Sequence, residues 1–106
     1  MVKTAVTGYP RIGETRELKK VSEDYFKGKV YKEELIERAK EIREKNWKLQ
    51  RDNGIDFISS NDFSFYDIFL DTAYALNAIP ARFEALGYDE IDTIFAMARG
   101  VQNDRY

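Results

Sequence analysis

VKTAVTG, residues 2–8, is the stretch on which the fold class turns. Val2, Thr4 and Val6 fall on one face and Lys3, Ala5 and Thr7 on the other, ahead of Gly8 and Pro10. That alternation predicts a β-strand. A second stretch, GIDFISSND at residues 54–62, opens with Ile55, Phe57 and Ile58 and turns polar at Ser59, Ser60, Asn61 and Asp62. It predicts a buried strand emerging into a loop. More than a dozen residues of helical pattern separate the two, as a right-handed parallel crossover requires. The expected fold class is therefore α/β, with two parallel strands and about four helices in the order strand-helix-helix-strand-helix-helix. Two such strands alone leave open edges. The chain is thus expected either to self-associate through those edges or to be a piece of something larger.

The helices are read from apolar spacing. Thr15 is placed to cap a first helix carrying Leu18, Val21, Ser22, Tyr25 and Phe26, which Gly28 stops. From Lys32 to Asn53, Leu35, Ala39, Ile42, Asn46 and Leu49 form one stripe before Gly54. Glu34 with Arg38, Glu41 with Lys45, and Glu44 with Lys48 stand in the favoured i,i+4 order. Ser64 and Asp67 resemble a capping box for a third helix that Pro80 ends. A fourth, from Glu90 to Arg99, presents Ile91, Ile94, Phe95 and Ala98 and stops at Gly100.

Composition narrows the chemistry. The 106 residues contain no cysteine and no histidine, so disulfides, cysteine zinc sites and histidine-based nucleophile pairs are excluded within the chain. A net charge of −2 argues against a nucleic-acid binder. No signal-peptide core or membrane-length apolar run is present, so a cytoplasmic location with no membrane partner is expected.

The basic cluster Arg11, Arg16, Lys19 and Lys20 surrounds the first helix's start, where the helix dipole favours acids. One reading is an anion site that combines these side chains with free helix N–H groups. The other is a solvated face partly neutralised by Glu14 and Glu17. Position favours the first, because the loop follows the first strand, where α/β folds place ligands. GYPRIG lacks both the dinucleotide and the P-loop spacing, so nucleotide binding has little support. Asn61 and Asp62 end the second strand and serve either ligand contact and organisation of the basic loop, or simple capping and turn formation. Asp67 and Asp71 read as solvated helix charge before they read as a hard-metal pair. Trp47, Phe63, Phe65, Tyr66 and Phe69 read as core before they read as a stacking platform.

GYPRIGETRELKK, NWKLQRDNGIDFISSNDFSFYD, LDTAYALNAIPARF and IDTIFAMARG, taken together in unbroken order, resemble the N-terminal segment of the cobalamin-independent methionine synthase family. The resemblance implies a much longer parent built as two (β/α)8 barrels. Residues 1–106 would be part of the first, the start of an incomplete barrel. It implies that RELK, Arg16, Glu17, Leu18 and Lys19, helps bind 5-methyltetrahydropteroyltri-L-glutamate, whose polyanionic tail suits the misplaced cations. Arg11 and Lys20 would contribute by electrostatics, with Asn61 and Asp62 as further secondary candidates. The implied chemistry moves a methyl group to L-homocysteine, giving methionine. It uses zinc held by His, Cys and Glu of the second barrel, which this chain lacks, and the resemblance also implies a further lysine contact to the folate beyond Tyr106. No catalytic residue or cofactor is therefore expected in these residues, which alone should be inactive and depend on the remainder of the parent chain. The rival reading is a stand-alone, non-catalytic module for folate polyglutamates or another polyanion, or an oligomerisation domain.

Overall fold

A computed structural model describes residues 2–60 and 62–101. The elements in chain order are α1 (Glu17–Phe26), α2 (Lys32–Asp52), α3 (Ile68–Ala75), α4 (Ala81–Glu84) and α5 (Glu90–Arg99). They fall into two compact units, residues 1–63 and 64–106.

The α/β expectation is overturned. Among the described residues the two predicted strands meet in one parallel bridge, Ala5 to Phe57, with no sheet and no barrel segment around it. The hydrogen bonds show why. The N–H groups of Asp56 and Phe57 both donate to the Thr4 carbonyl, at 3.1 and 3.0 Å. Thr4's own N–H donates to the Asp56 carboxylate at 2.8 Å, and the Asp56 N–H also donates to the Thr4 hydroxyl at 3.0 Å. Side chains thus take the bonds that further ladder rungs would need, and the pairing does not propagate. With no ladder formed, the ground for expecting self-association through open strand edges falls away.

In the first unit α1 packs against α2. Leu18 and Leu35 are fully buried, with Val21 and Ala39 beside them. Each such leucine contributes roughly 1.5–3 kcal/mol through removal from water. α1 ends as its glycine predicts: Gly28 adopts φ 72°, its N–H donates to the Tyr25 carbonyl, and the Lys29 N–H donates to that of Asp24. α2 ends in the same pattern, with the Ile55 N–H on the Gln50 carbonyl at 3.1 Å. Its buried stripe drifts from the one expected: Gln50 is buried while Leu49 is exposed.

In the second unit α3 and α4 pack against α5. Phe95 is fully buried, edge-on to Phe65 and Tyr66 at 6.2 and 6.5 Å between centroids. Two helix limits differ from the spacing argument. Asp67, rather than a Ser64 box, caps α3 by accepting the Phe69 N–H at 2.8 Å. α3 also stops well before Pro80, at Ala75, and Asn77 just beyond it takes a left-handed φ of 58° that lets the Ala78 N–H reach the Ala73 carbonyl. Asn tolerates that conformation better than most residues. The four-residue α4 was not expected. Among the described residues no helix is long and apolar enough to cross a membrane.

Candidate functional site

The loop between residues 8 and 16 is held from two sides and by bonds of its own. The Asp62 carboxylate accepts the Tyr9 N–H at 2.8 Å. From α2, the Asn46 side-chain amide donates to the Pro10 carbonyl at 3.4 Å, and Lys45 pairs with Glu14 at 3.6 Å. The loop then closes on itself: the Arg16 N–H donates to the Gly13 carbonyl at 3.2 Å and the Leu18 N–H to the Ile12 carbonyl at 3.0 Å.

The N-cap of α1 is Arg16, one residue later than expected. It sits in the left-handed region, φ 61° and ψ 37°, and no side chain caps the helix. A non-glycine residue there is strained by roughly 1–2 kcal/mol. Thr15, the expected cap, instead donates its hydroxyl to Glu17 Oε1 at 2.7 Å and its N–H to Glu17 Oε2 at 3.3 Å. The Thr15 hydroxyl is the main cause holding the Glu17 carboxyl below its ordinary value. The Glu17 carboxylate lies over Gly13, so close that any Cβ there would collide with it, and Gly13 itself has φ 89°. Glycine meets both demands without backbone strain and without displacing the Glu17 side chain.

The expected site residues divide accordingly. Arg16, Lys19 and Lys20 are exposed on the first turn of α1, and Lys19 pairs with Glu23 at 3.7 Å. Leu18 points into the core. Arg11 lies half-buried in the loop, and Asp62 binds the loop's backbone. Asn61 lies outside the described residues.

A cleft of about 560 Å³ opens between the loop, α1 and α2. Glu14, Glu17, Asp24, Glu34 and Glu41 are among the residues that line it. Lys20, Arg38 and Lys45 stand among them, so acidic residues outnumber basic ones along the cleft. Sequence spacing missed Arg43, whose guanidinium lies 5.6 Å from the ring centroids of both Trp47 and Phe63. The i,i+4 relation to Trp47 was the one available signal.

Asp67 is occupied as the α3 cap and Asp71 lies in that helix's first turn. Among the described residues no three His, Cys, Asp or Glu side chains converge as a metal centre requires. The zinc that the resemblance implies belongs to His, Cys and Glu of a second barrel outside these residues, and no chemical step is assigned to a metal on this chain.

Residues 3–105 match a family model described as "Cobalamin-independent synthase, N-terminal domain". Among curated relatives, a 5-methyltetrahydropteroyltriglutamate–homocysteine methyltransferase of Saccharomyces cerevisiae is 52% identical over 102 residues, covering 96% of this chain and 13% of that protein. Proteins of the same name from Bifidobacterium animalis subsp. lactis and Flavobacterium johnsoniae are 51% and 53% identical over 105 residues each, covering 98% and 97% of the chain and 14% of each relative. The chain thus spans only about one-seventh of the length of the relatives it matches. On the extent of the match and the level of identity, the chain belongs to the cobalamin-independent methionine synthase family, with its similarity lying in the N-terminal domain.

Proposed function

We propose that the chain is the N-terminal part of a methyltransferase that moves a methyl group from 5-methyltetrahydropteroyltri-L-glutamate to L-homocysteine, and that it contributes to binding the triglutamate tail. The observation that carries this reading is Arg16: a strained cationic residue standing as N-cap of α1, where no side chain closes the helix. The positive end of the helix and the exposed Arg16, Lys19 and Lys20 add in sign, and carboxylates of a γ-glutamyl tail supply the missing negative charge. The names of the relatives supply the substrate class. Leu18 anchors the stretch in the core while Arg16 and Lys19 present charge to the ligand. The bond-breaking chemistry is carried by residues elsewhere in the parent, and 106 residues alone do not turn over.

The test is a chimera in which this chain replaces the matching segment of the Saccharomyces cerevisiae relative. Arg16→Ala and Lys19→Ala should each raise KM for the triglutamate substrate by about 5–10-fold, with kcat nearly unchanged. The effect should shrink as salt is raised. Unchanged KM in both variants of an active chimera would overturn the reading.

A further inference from the structure

We propose that Glu17 is a positioning residue: its carboxylate, gripped by Thr15 and seated over Gly13, holds Arg16 in its left-handed conformation and makes no contact with the bound anion. This deepens the reading above and rests on it for its ligand.

A carboxylate in the middle of a polyanion site needs an explanation, since its charge opposes the ligand's. The structure supplies one. Both Glu17 oxygens are turned back along the chain, Oε1 to the Thr15 hydroxyl at 2.7 Å and Oε2 to the Thr15 N–H at 3.3 Å. The space they occupy exists because Gly13 has no side chain. Arg16 lies between the two partners in sequence, and its N–H is bound to the Gly13 carbonyl. Thr15, Glu17 and Gly13 thus fix the backbone on either side of the one left-handed residue at the head of α1. Relaxing Arg16 to an ordinary conformation would pull against this clamp and re-aim the Arg16 side chain at the head of α1. The lowered Glu17 pKa agrees with a carboxylate stabilised by donors.

Sign separates this role from a contact or a mere charge. Removing a negative charge beside a polyanion site should tighten binding, whereas loss of a positioning clamp should weaken it. In the active chimera, Glu17→Ala and Thr15→Val should each raise KM for the triglutamate substrate by about 3–10-fold, and the double variant no further than the larger single one. Thr15→Ser, which keeps the hydroxyl, should restore the parent value. Tighter binding in Glu17→Ala, no effect of Thr15→Val, or additive effects would each overturn the assignment. A second readout needs no ligand. In the 106-residue chain, the strong intraresidue amide-to-Hα NOE of a left-handed Arg16 should be lost in Glu17→Ala and Thr15→Val. Its persistence in both would also refute the clamp. If the NOE is lost while Arg16→Ala leaves KM unchanged, the clamp stands and the tail-binding reading fails.

Discussion

The carboxylate of Asp62 accepts the backbone N–H of Tyr9 at 2.8 Å, joining the end of the segment after α2 to the loop that leads into α1. The contact spans 53 residues of sequence and is part-buried. It lies next to Gly8, where an added Cβ would come within 3.3 Å of the same carboxylate oxygen. Asp62→Ala removes the acceptor and strands the donor. The expected cost is about 1–2 kcal/mol in urea unfolding of the chain, with faster amide exchange at Tyr9. Asp62→Asn keeps one side-chain oxygen and should cost less than half as much. Equal stability of the alanine variant and the parent chain would remove Asp62 from the loop's supports.

Phe95 makes a sharper test of the second unit. It is fully buried and meets Phe65 and Tyr66 in edge-on geometry, with interplanar angles of 73° and 82°. Phe95→Ala should lose about 3–5 kcal/mol, the transfer cost plus a cavity, and Phe95→Leu about 1–1.5 kcal/mol. In the first unit Leu18→Ala should cost about 2–4 kcal/mol by the same reasoning, since Leu18 is wholly inside. Thermal or urea unfolding followed by circular dichroism measures all three. A loss below about 1 kcal/mol for Phe95→Ala would mean that the ring is not packed as described.

The helices were legible where local chemistry settles them. α5 runs from Glu90 to Arg99 as its spacing and Gly100 indicate, and Asp89 caps it by accepting the Asp92 N–H at 3.0 Å. α2 needed only its stripe and the glycine that follows. The strands were not legible, because alternation reports which faces a segment could present and not where its N–H groups go. Thr4 and Asp56 divert those groups to side chains 52 residues apart, which no local window reveals. The basic cluster was visible as an electrostatic oddity, but its organisation was not. A left-handed Arg16 runs against the propensity of arginine and depends on a side-chain clamp. Arg43, beside Trp47, likewise reaches Phe63 twenty positions further on.

The Thr4–Asp56 cluster gives its own prediction. Thr4 donates its N–H to Asp56 Oδ2 at 2.8 Å and its hydroxyl to the Gly54 carbonyl at 3.1 Å, so that this pair pins the single bridge. Thr4→Val preserves shape and deletes the hydroxyl. The site is exposed, so water replaces part of the loss and about 0.5–1 kcal/mol is expected. Hydrogen exchange should show Phe57 losing protection more than residues within α2. Equal protection in variant and parent would mean that the hydroxyl does not hold the bridge.

Acid should loosen the head of α1 before it unfolds the cores. The Glu17 carboxyl is held below its ordinary value of 4.5, first by the Thr15 hydroxyl and then by backbone N–H donors, with a smaller attraction from Lys45. A carboxyl whose folded pKa is depressed binds protons more weakly folded than unfolded. Its stabilising contribution is therefore fully present above the ordinary value and is lost as pH falls through the lowered one. Following the Glu17 side-chain carbon by NMR should place its midpoint below that of a typical exposed glutamate. Thr15→Val removes the largest cause and should move the midpoint upward toward the ordinary range, with the Arg16 amide signal shifting at the same pH as the carboxyl. A midpoint unchanged by Thr15→Val, or an Arg16 signal that does not follow it, would show that the carboxylate and the left-handed residue are not coupled.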